Sequence, residues 1–511
     1  MTRLAWFLSF CTGFISLSEE IIWVRIVSFS FESTPRAFAL VLTAFLGGIA
    51  LGALLGKHLS EKQKATPLTA AWLMLLAGML LMLLPSIVIE LNNTSFPVFW
   101  MLLTILMSSA IKGTLFPIVH HLGSSHIDAD KKTLGRSVSK TYFFNILGST
   151  LGPLFTGLFL LDILPSGSSL QSLGLTCLAI AIITTLLAVR HTERKQTITI
   201  LFICTLSASA YPVLNDSGKH LTYKLAINYG GEIRTLIENR HGIIHSIAGN
   251  DFDDTVLGGN VYDGRTNIDL TKNSNGIDRA LFLYGLHPAP ERVLVIGMSS
   301  GAWTRLIASI PSIKKIDVVE INPGYVQMIR NYPTLSPLLD DPRLELHIDD
   351  GRRWLRRSHQ KFDLIVMNTT FHWRANITNL LSREMMELAR NSLAPRGIFT
   401  FNTTYSYDSF FTASQVFPSA YLYQNFAYAA EYDFRDQIPL IPERLRKLTL
   451  DGHPLFSDDA KTNQALEKLA LIKPVEIQTI TNIFPRPLVM VTDQNMITEF
   501  RFGRGAKETT D

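Results

Sequence analysis

The 511-residue chain is 47% hydrophobic and only 18% charged, with 47 Lys and Arg against 43 Asp and Glu. A soluble domain carries about 25% charged residues, so a wholly soluble protein is excluded. Three cysteines likewise exclude a disulfide scaffold or a cysteine-rich zinc module.

The average hides two unlike parts. Residues 1–214 hold 14 Lys and Arg against 9 Asp and Glu, and the remainder holds 33 against 34. The basic excess therefore belongs to the apolar part and gives no support for nucleic-acid binding. A membrane span needs about 20 mostly apolar residues. Runs of this kind near 4–27, 37–56, 67–89, 97–118, 142–161, 170–189 and 197–213 predict a membrane domain of six to seven helices over 1–214. Glu19 and Glu20 fall inside the first run, where one of them is expected to pair with Arg25 or cap a kink. Gly47, Gly48, Gly52 and Gly56 form a small-residue stripe suited to close helix packing. His120, His121 and His126 come without cysteines or spaced acids, and no metal site is predicted.

Loop charge sets the orientation. Arg3 and the loops 57–64, 119–141 and 190–196 carry eleven Lys and Arg, whereas the loops 28–36, 90–96 and 162–169 carry only Arg36. This places the amino terminus inside a bacterial cell membrane. Segment 197–213, which ends at Tyr211-Pro212, then decides the side of everything downstream.

Residues 215–285 read as a small β-rich subdomain with a linker, built from short strands and Gly and Asn-Asp turns such as TVLGGNVYDGR. An α/β pattern follows over 286–440, and 441–511 reads as a carboxy-terminal extension. The apolar run RVLVIG leads into the turn GMSSG and a helix from Ala302 to Ile310. KIDVVEIN ends at Glu320, RLELHIDD at Asp349 and Asp350, and FDLIVMN at Asn368. A helix TNLLSREMMELARNSLA follows, and GIFTFNTT closes the series. Strands alternating with helices predict a doubly wound, Rossmann-like parallel sheet with ligands outside the carboxyl ends of its strands. The candidate cofactor residues there are Gly297, Ser299, Ser300, Gly301, Glu320, Asp349 and Asp350. Glu320 follows Gly297 by 23 positions, near the spacing of an acid that holds ribose hydroxyls. GMSSG lacks the third glycine of a pyrophosphate turn, which favours a nucleoside without phosphates over NAD or FAD. The run RRWLRR at 352–357 reads as a solvated helix face, with Trp354 and Leu355 inward.

The order VLVIGMSSGAW, VVEIN, LHIDDGRRWL, FDLIVMNTT and TNLLSREMMELARNSLAPRGIF resembles the spermidine synthase (polyamine aminopropyltransferase) family, a branch of the class I S-adenosylmethionine-binding fold. LGGNVYDGR resembles the end of that family's small β-domain, and EEIIWVRIV with AFLGGIALGALLG resembles its membrane-fused bacterial members. The resemblance implies that Gly297 and Gly301 line a cofactor loop, Glu320 holds the ribose, and Asp349 and Asp350 meet the adenine. The donor it implies is S-adenosylmethionine or its decarboxylated form.

Three positions depart from the family pattern. Ser300 stands where the family has an aspartate facing the donor's amine, Asn368 where its catalytic loop opens with an aspartate, and Phe371 where a second acid falls. Asn368 cannot accept a proton from an attacking nitrogen. The loop offers His372 as a base, Trp373 as a stacking surface and Arg374 as a clamp for a carboxylate or a phosphate. The expected activity is a transferase whose small-molecule acceptor, amine or carboxylate-bearing, is not a standard polyamine. A methyltransferase and a non-catalytic nucleoside-binding sensor or scaffold are the alternatives. The lipid bilayer and a second copy of the chain are candidate partners. A cytosolic cofactor favours a cytoplasmic soluble domain and a 197–213 segment that does not cross; if the segment spans, the domain lies outside.

Overall fold

The computed structural model describes residues 2–124, 131–188, 194–227, 229–368 and 370–504; the side chains of 131–134, like His126 and Arg190, lie outside the described residues. The chain divides into two compact units, 1–31 with 36–227 and 238–242, and 32–35 with 228–237 and 243–511.

The first unit is helical. Helices α1 (Thr2–Ser30), α2 (Pro35–Glu61), α3 (Pro67–Asn92), α4 (Pro97–Ser124), α5 (Lys131–Phe155, prolonged by a π turn at Thr156–Leu160) and α6 (Ser166–Ala188) supply six spans long and apolar enough to cross a membrane. Three glycines of the stripe face α4. A Cβ on Gly48, Gly52 or Gly56 would come within 1.9 Å of Ser109 Oγ, 2.0 Å of the Ala110 carbonyl or 2.4 Å of the Thr114 carbonyl. Gly47 points elsewhere, with Leu106 at 4.0 Å as its nearest neighbour.

Glu19 does not pair with Arg25 as expected. It is fully buried and accepts from Ser108 Oγ at 2.6 Å, from Trp23 Nε1 at 3.0 Å and from the ammonium of Lys112. Arg25 donates instead to Ser166 Oγ at 3.0 Å. A buried carboxylate selects the cation that can be desolvated with it, and Lys112 on α4 is itself only 3% exposed.

The 197–213 segment does not end at its proline. Helix α7 (Arg194–Ser209) bends by 52° into α8 (Tyr211–Leu225), and Pro212 sits in the first turn of α8, where its missing N–H costs nothing. The pair passes the same apolarity test when taken as one broken span. Ser86 donates to Ser217 at 2.9 Å, and Gln171 Nε2 donates to the Leu214 carbonyl at 2.6 Å. These bonds seat α8 against the carboxyl end of α3 and the amino end of α6.

The second unit begins with a four-stranded antiparallel sheet, β1 (Ile233–Asn239), β2 (Gly242–Ile247), β3 (Thr255–Gly258) and β4 (Val261–Arg265), in chain order. Helix Asp278–Leu286 follows, every residue of it buried except Arg279. The main sheet then assembles from β5 (Arg292–Ile296), β6 (Lys315–Glu320), β7 (Leu344–Ile348), β8 (Phe362–Met367), β9 (Leu393–Asn402), β10 (Ser419–Tyr423) and β11 (Phe426–Ala430). A two-stranded ribbon of β12 (Thr449–Leu450) and β13 (His453–Pro454) precedes the edge strand β14 (Val475–Glu476). The order is β14-β10-β11-β9-β8-β5-β6-β7, parallel from β9 to β7.

Two features differ from the sequence expectation. GIFTFNTT does not close the series, because β11, β10 and β14 extend it antiparallel beyond β9. The expected single helix 378–394 is two, Thr378–Leu381 and Arg383–Ser392; Ser382 at the break accepts from Met385 N and caps the second. The parallel strands are apolar on both faces, as buried strands must be. Val293, Val295 and Val318 pack toward Leu281, Phe282 and Leu306, while Leu294, Ile365 and Phe399 pack toward Met385, Met386 and Phe410. Pairing sets Ile296 beside Val319 and Met367, and Met367 beside Phe401, so the carboxyl ends of β5, β6, β8 and β9 lie level.

Candidate functional site

Strands β6 and β8 flank β5, and the chain runs to opposite sides from it, so the loop after β5 opens at a switch point of the sheet. Gly297 takes φ +84°, and a Cβ there would come 2.9 Å from the Asn368 carbonyl; only glycine lets the ends of β5 and β8 approach so closely. The loop is tied down on two sides. Met298 N donates to Glu320 at 2.7 Å, Ser299 Oγ donates to the Asp263 carbonyl at 2.5 Å, and Ser300 Oγ donates to the Arg265 carbonyl at 2.7 Å. The Ser300 hydroxyl is thereby spent on backbone. Gly301, at φ +79°, starts the helix Ala302–Ala308.

Glu320 is 3% exposed and its carboxylate accepts from Met298 N and, at 2.9 Å, from Asn322 N. Burial drives its pKa from 4.5 up to about 7, against the lowering effect of those N–H bonds. An acid held by backbone dipoles is what a ribose diol requires, and Glu320 with Gly297 fits a nucleoside. Asp350 caps the helix Gly351–Arg357 by accepting from Arg353 N at 2.7 Å, and Asp349 takes the Arg353 guanidinium. The basic run is likewise absorbed locally: Arg352 grips Asp493 through two 2.7 Å bonds, Leu355 is buried, and Trp354 lies on His347 with ring centroids 4.8 Å apart.

Beside this loop lies a cavity of about 360 Å³. Of the residues singled out from sequence for the site, Asn368 lines it, as does Phe371. His372, Trp373 and Arg374 do not. His372 Nδ1 is 3.0 Å from both the carbonyl and the hydroxyl of Thr404, and burial lowers its pKa, so the ring is neutral at pH 7. Trp373 stacks on Phe371 at 5.4 Å, and Arg374 donates to Thr370 Oγ1 at 2.7 Å. These three side chains brace the loop.

Sequence reasoning missed most of the cavity: Asp263, Arg279, Trp303, Asn402 and Asn425. Arg279 gave no signal of its own, because it follows Asp278 in the first turn of its helix and reads there as an ordinary charged helix start. Among the described lining residues Asp263 and Arg279 carry charge. Asp263 accepts from the Tyr325 hydroxyl at 2.5 Å, and burial raises its pKa. Away from the cavity, Asp317, Glu345 and His347 converge on neighbouring strands, but Lys315 Nζ sits 2.6 Å from Glu345 and supplies the positive charge there.

Residues 282–428 match the family model of the spermine/spermidine synthase domain. The polyamine aminopropyltransferase of Agathobacter rectalis is 37% identical over 86 residues, 17% of this chain and 30% of that protein. That of Bacillus subtilis is 35% identical over 85 residues, 16% and 31% respectively. The spermidine synthase of Dictyostelium discoideum is 32% identical over 113 residues, 22% and 39%. The chain thus spans 30 to 39% of the length of these relatives. The crystal structure of spermidine synthase from Thermotoga maritima superposes with a TM-score of 0.39 at 18% identity, over 49% of this chain and 86% of that one. Over residues 282–428 the chain is thus similar to the spermine/spermidine synthase domain, within a doubly wound α/β sheet that follows a helical amino-terminal region in sequence.

Proposed function

We propose that this chain is a membrane-bound, spermidine synthase-like transferase that uses an S-adenosylmethionine-type donor and an acceptor other than a standard polyamine. The observation that carries the reading is the charge of the cavity. A polyamine is a polycation and needs carboxylates to replace its water. The wall here is Asn368, Asn402, Asn425 and Phe371, Arg279 adds a positive charge, and Asp263 is already engaged by Tyr325.

The donor's sulfonium would make the carbon beside it electrophilic. The residues suited to hold the donor are the turn at Gly297, Glu320 for the ribose hydroxyls and the Asp349–Asp350 corner for the adenine. Their contribution is to fix the reacting carbon against the acceptor, and proximity of this kind supplies much of the acceleration in a direct displacement. The Ser300 hydroxyl is spent on backbone, so the loop offers no carboxylate to the ammonium that both the intact and the decarboxylated donor carry. A methyltransferase is the second candidate, since methyl and aminopropyl donors share the nucleoside.

The test is product analysis with the full chain in detergent. Intact and decarboxylated S-adenosylmethionine, each labelled in its transferable carbon, are supplied with 1,4-diaminobutane and with a cell extract. The expected result is label in a non-polyamine product. Turnover of 1,4-diaminobutane to spermidine would overturn the altered acceptor, and binding of neither nucleoside would overturn the transferase.

Six apolar helices plus the bent pair support a multi-pass cell-membrane protein. The seating of α8 beside the ends of α3 and α6 remote from the basic loops supports a seventh crossing, hence a soluble domain on the outer side.

A further inference from the structure

One wall of the cavity is a relay of side chains whose polarity is fixed from both ends. Arg279 has only donors to offer, and it donates to Asn425 Oδ1. Asn425 must therefore turn its Nδ2 onward, and it donates to Asn402 Oδ1 at 2.7 Å. The same oxygen accepts from the Thr404 backbone N–H at 2.8 Å, which fixes the Asn402 amide independently. Asn402 Nδ2 then donates to Asn368 Oδ1 at 3.3 Å. The free end of the relay is Asn368 Nδ2, a pure donor at the carboxyl end of β8.

The charged end is held as firmly. The Arg279 guanidinium lies 5.7 Å over Trp303 and 5.0 Å over Phe426, and its Nε donates to the Gly276 carbonyl at 2.9 Å. A Cβ on Gly276 would fall 1.8 Å from the guanidinium, so that glycine, at φ +57°, belongs to the device.

Resting on the transferase reading above, we infer that the acceptor enters this cavity as a carboxylate and attacks through oxygen, held by Arg279 and the Asn368 amide. The step balances without a base. A carboxylate lone pair forms the O–C bond, and the C–S bond breaks with its electron pair going to sulfur. The negative charge of the acceptor and the positive charge of the sulfonium cancel in an ester and a neutral thioether. No proton moves. An amine acceptor would instead arrive as an ammonium, would meet the Asn368 donors head-on, and would need a proton acceptor. Asp263 is the acid among the described lining residues that would have to take that proton, and one of its two oxygens already accepts from the Tyr325 hydroxyl.

The test is a calorimetric titration of the full chain in detergent, saturated with 5′-methylthioadenosine, using glutarate as the carboxylate probe and 1,4-diaminobutane as the amine. The wild type is expected to bind glutarate and not the diamine. Asn368→Asp, which reverses the relay's free end at constant shape, is expected to weaken glutarate by about tenfold, roughly one lost charge-assisted hydrogen bond. Arg279→Met is expected to abolish glutarate binding while leaving 5′-methylthioadenosine affinity unchanged. Wild-type preference for the diamine, with the nucleoside bound, overturns the carboxylate inference and leaves the transferase standing. Failure to bind 5′-methylthioadenosine at all overturns both.

Discussion

Glu320 shows what a single buried acid does to the site. Two backbone N–H groups point at its carboxylate, yet burial dominates and its pKa rises to about 7. A ribose diol donates two hydrogen bonds, which only the ionised form accepts fully, so affinity for 5′-methylthioadenosine is expected to climb between pH 6 and 8. Calorimetry across that range checks it, and Glu320→Gln should flatten the profile; a flat wild-type profile would refute the assignment. The linkage to stability runs the other way. A carboxyl whose folded pKa is raised stabilises fully below its unfolded value of 4.5 and loses that contribution as pH rises through about 7. This residue was legible in the sequence because its distance from Gly297 is set by one β-α-β unit. Arg279 was not, because its meaning lies in Asn425, 146 positions away, and no local pattern reports a contact of that range. His372 drew attention for its intrinsic pKa, but its ring is engaged by Thr404 and does not itself line the cavity.

Among elements, the parallel strands were readable because each is a short apolar run ending in a polar residue, and burial on both faces demands that pattern. The antiparallel extension was not. SAYLY and FAYAA are separated by only two residues and lack the alternation of a half-exposed hairpin, because β10 and β11 are buried on both faces. Among the apolar helices, hydropathy found the spans and overlooked the polar contact that joins two of them. Lys112 sits in a stretch otherwise apolar enough to cross a membrane, and its partner Glu19 is 93 positions earlier. Removing one member of a buried pair strands the other charge, which costs about 3–5 kcal/mol. Lys112→Met is therefore expected to lower the melting temperature of the detergent-solubilised protein sharply. Glu19→Gln combined with Lys112→Met should recover most of the loss. Equal damage from the single and double variants would mean that the pair contributes packing alone.

For the whole molecule the decisive element is the bent helix pair. Arg3, Lys57, Lys62, Lys64 and Arg194 mark one end of the helical unit, whereas Ser86, Ser166 and Ser217 gather toward the other. Segment 197–213 is short and rich in Ser and Thr, which leaves both crossing and not crossing open from sequence. What it lacked in length is supplied after Ala210 by α8, whose Gly218 packs where a Cβ would meet Gln171 Oε1 at 2.1 Å. If positive charge stays in the cytoplasm, the chain reaches residue 225 on the far side. A reporter fused after Asp511 reads the outcome directly: alkaline phosphatase is expected to be active there, and a fluorescent protein that folds only in the cytoplasm is expected to stay dark. The opposite pattern would mean that the loop charges do not set the orientation, and that the domain shares a compartment with cytosolic nucleosides. The expected pattern has a sharper consequence for function. The cavity and Glu320 would then face a compartment where the donor is not made, so the activity would depend on delivery of the donor across the membrane. Cells in which the phosphatase fusion is active should show product formation that rises when S-adenosylmethionine is supplied from outside, and the isolated protein in detergent should show no such dependence on side.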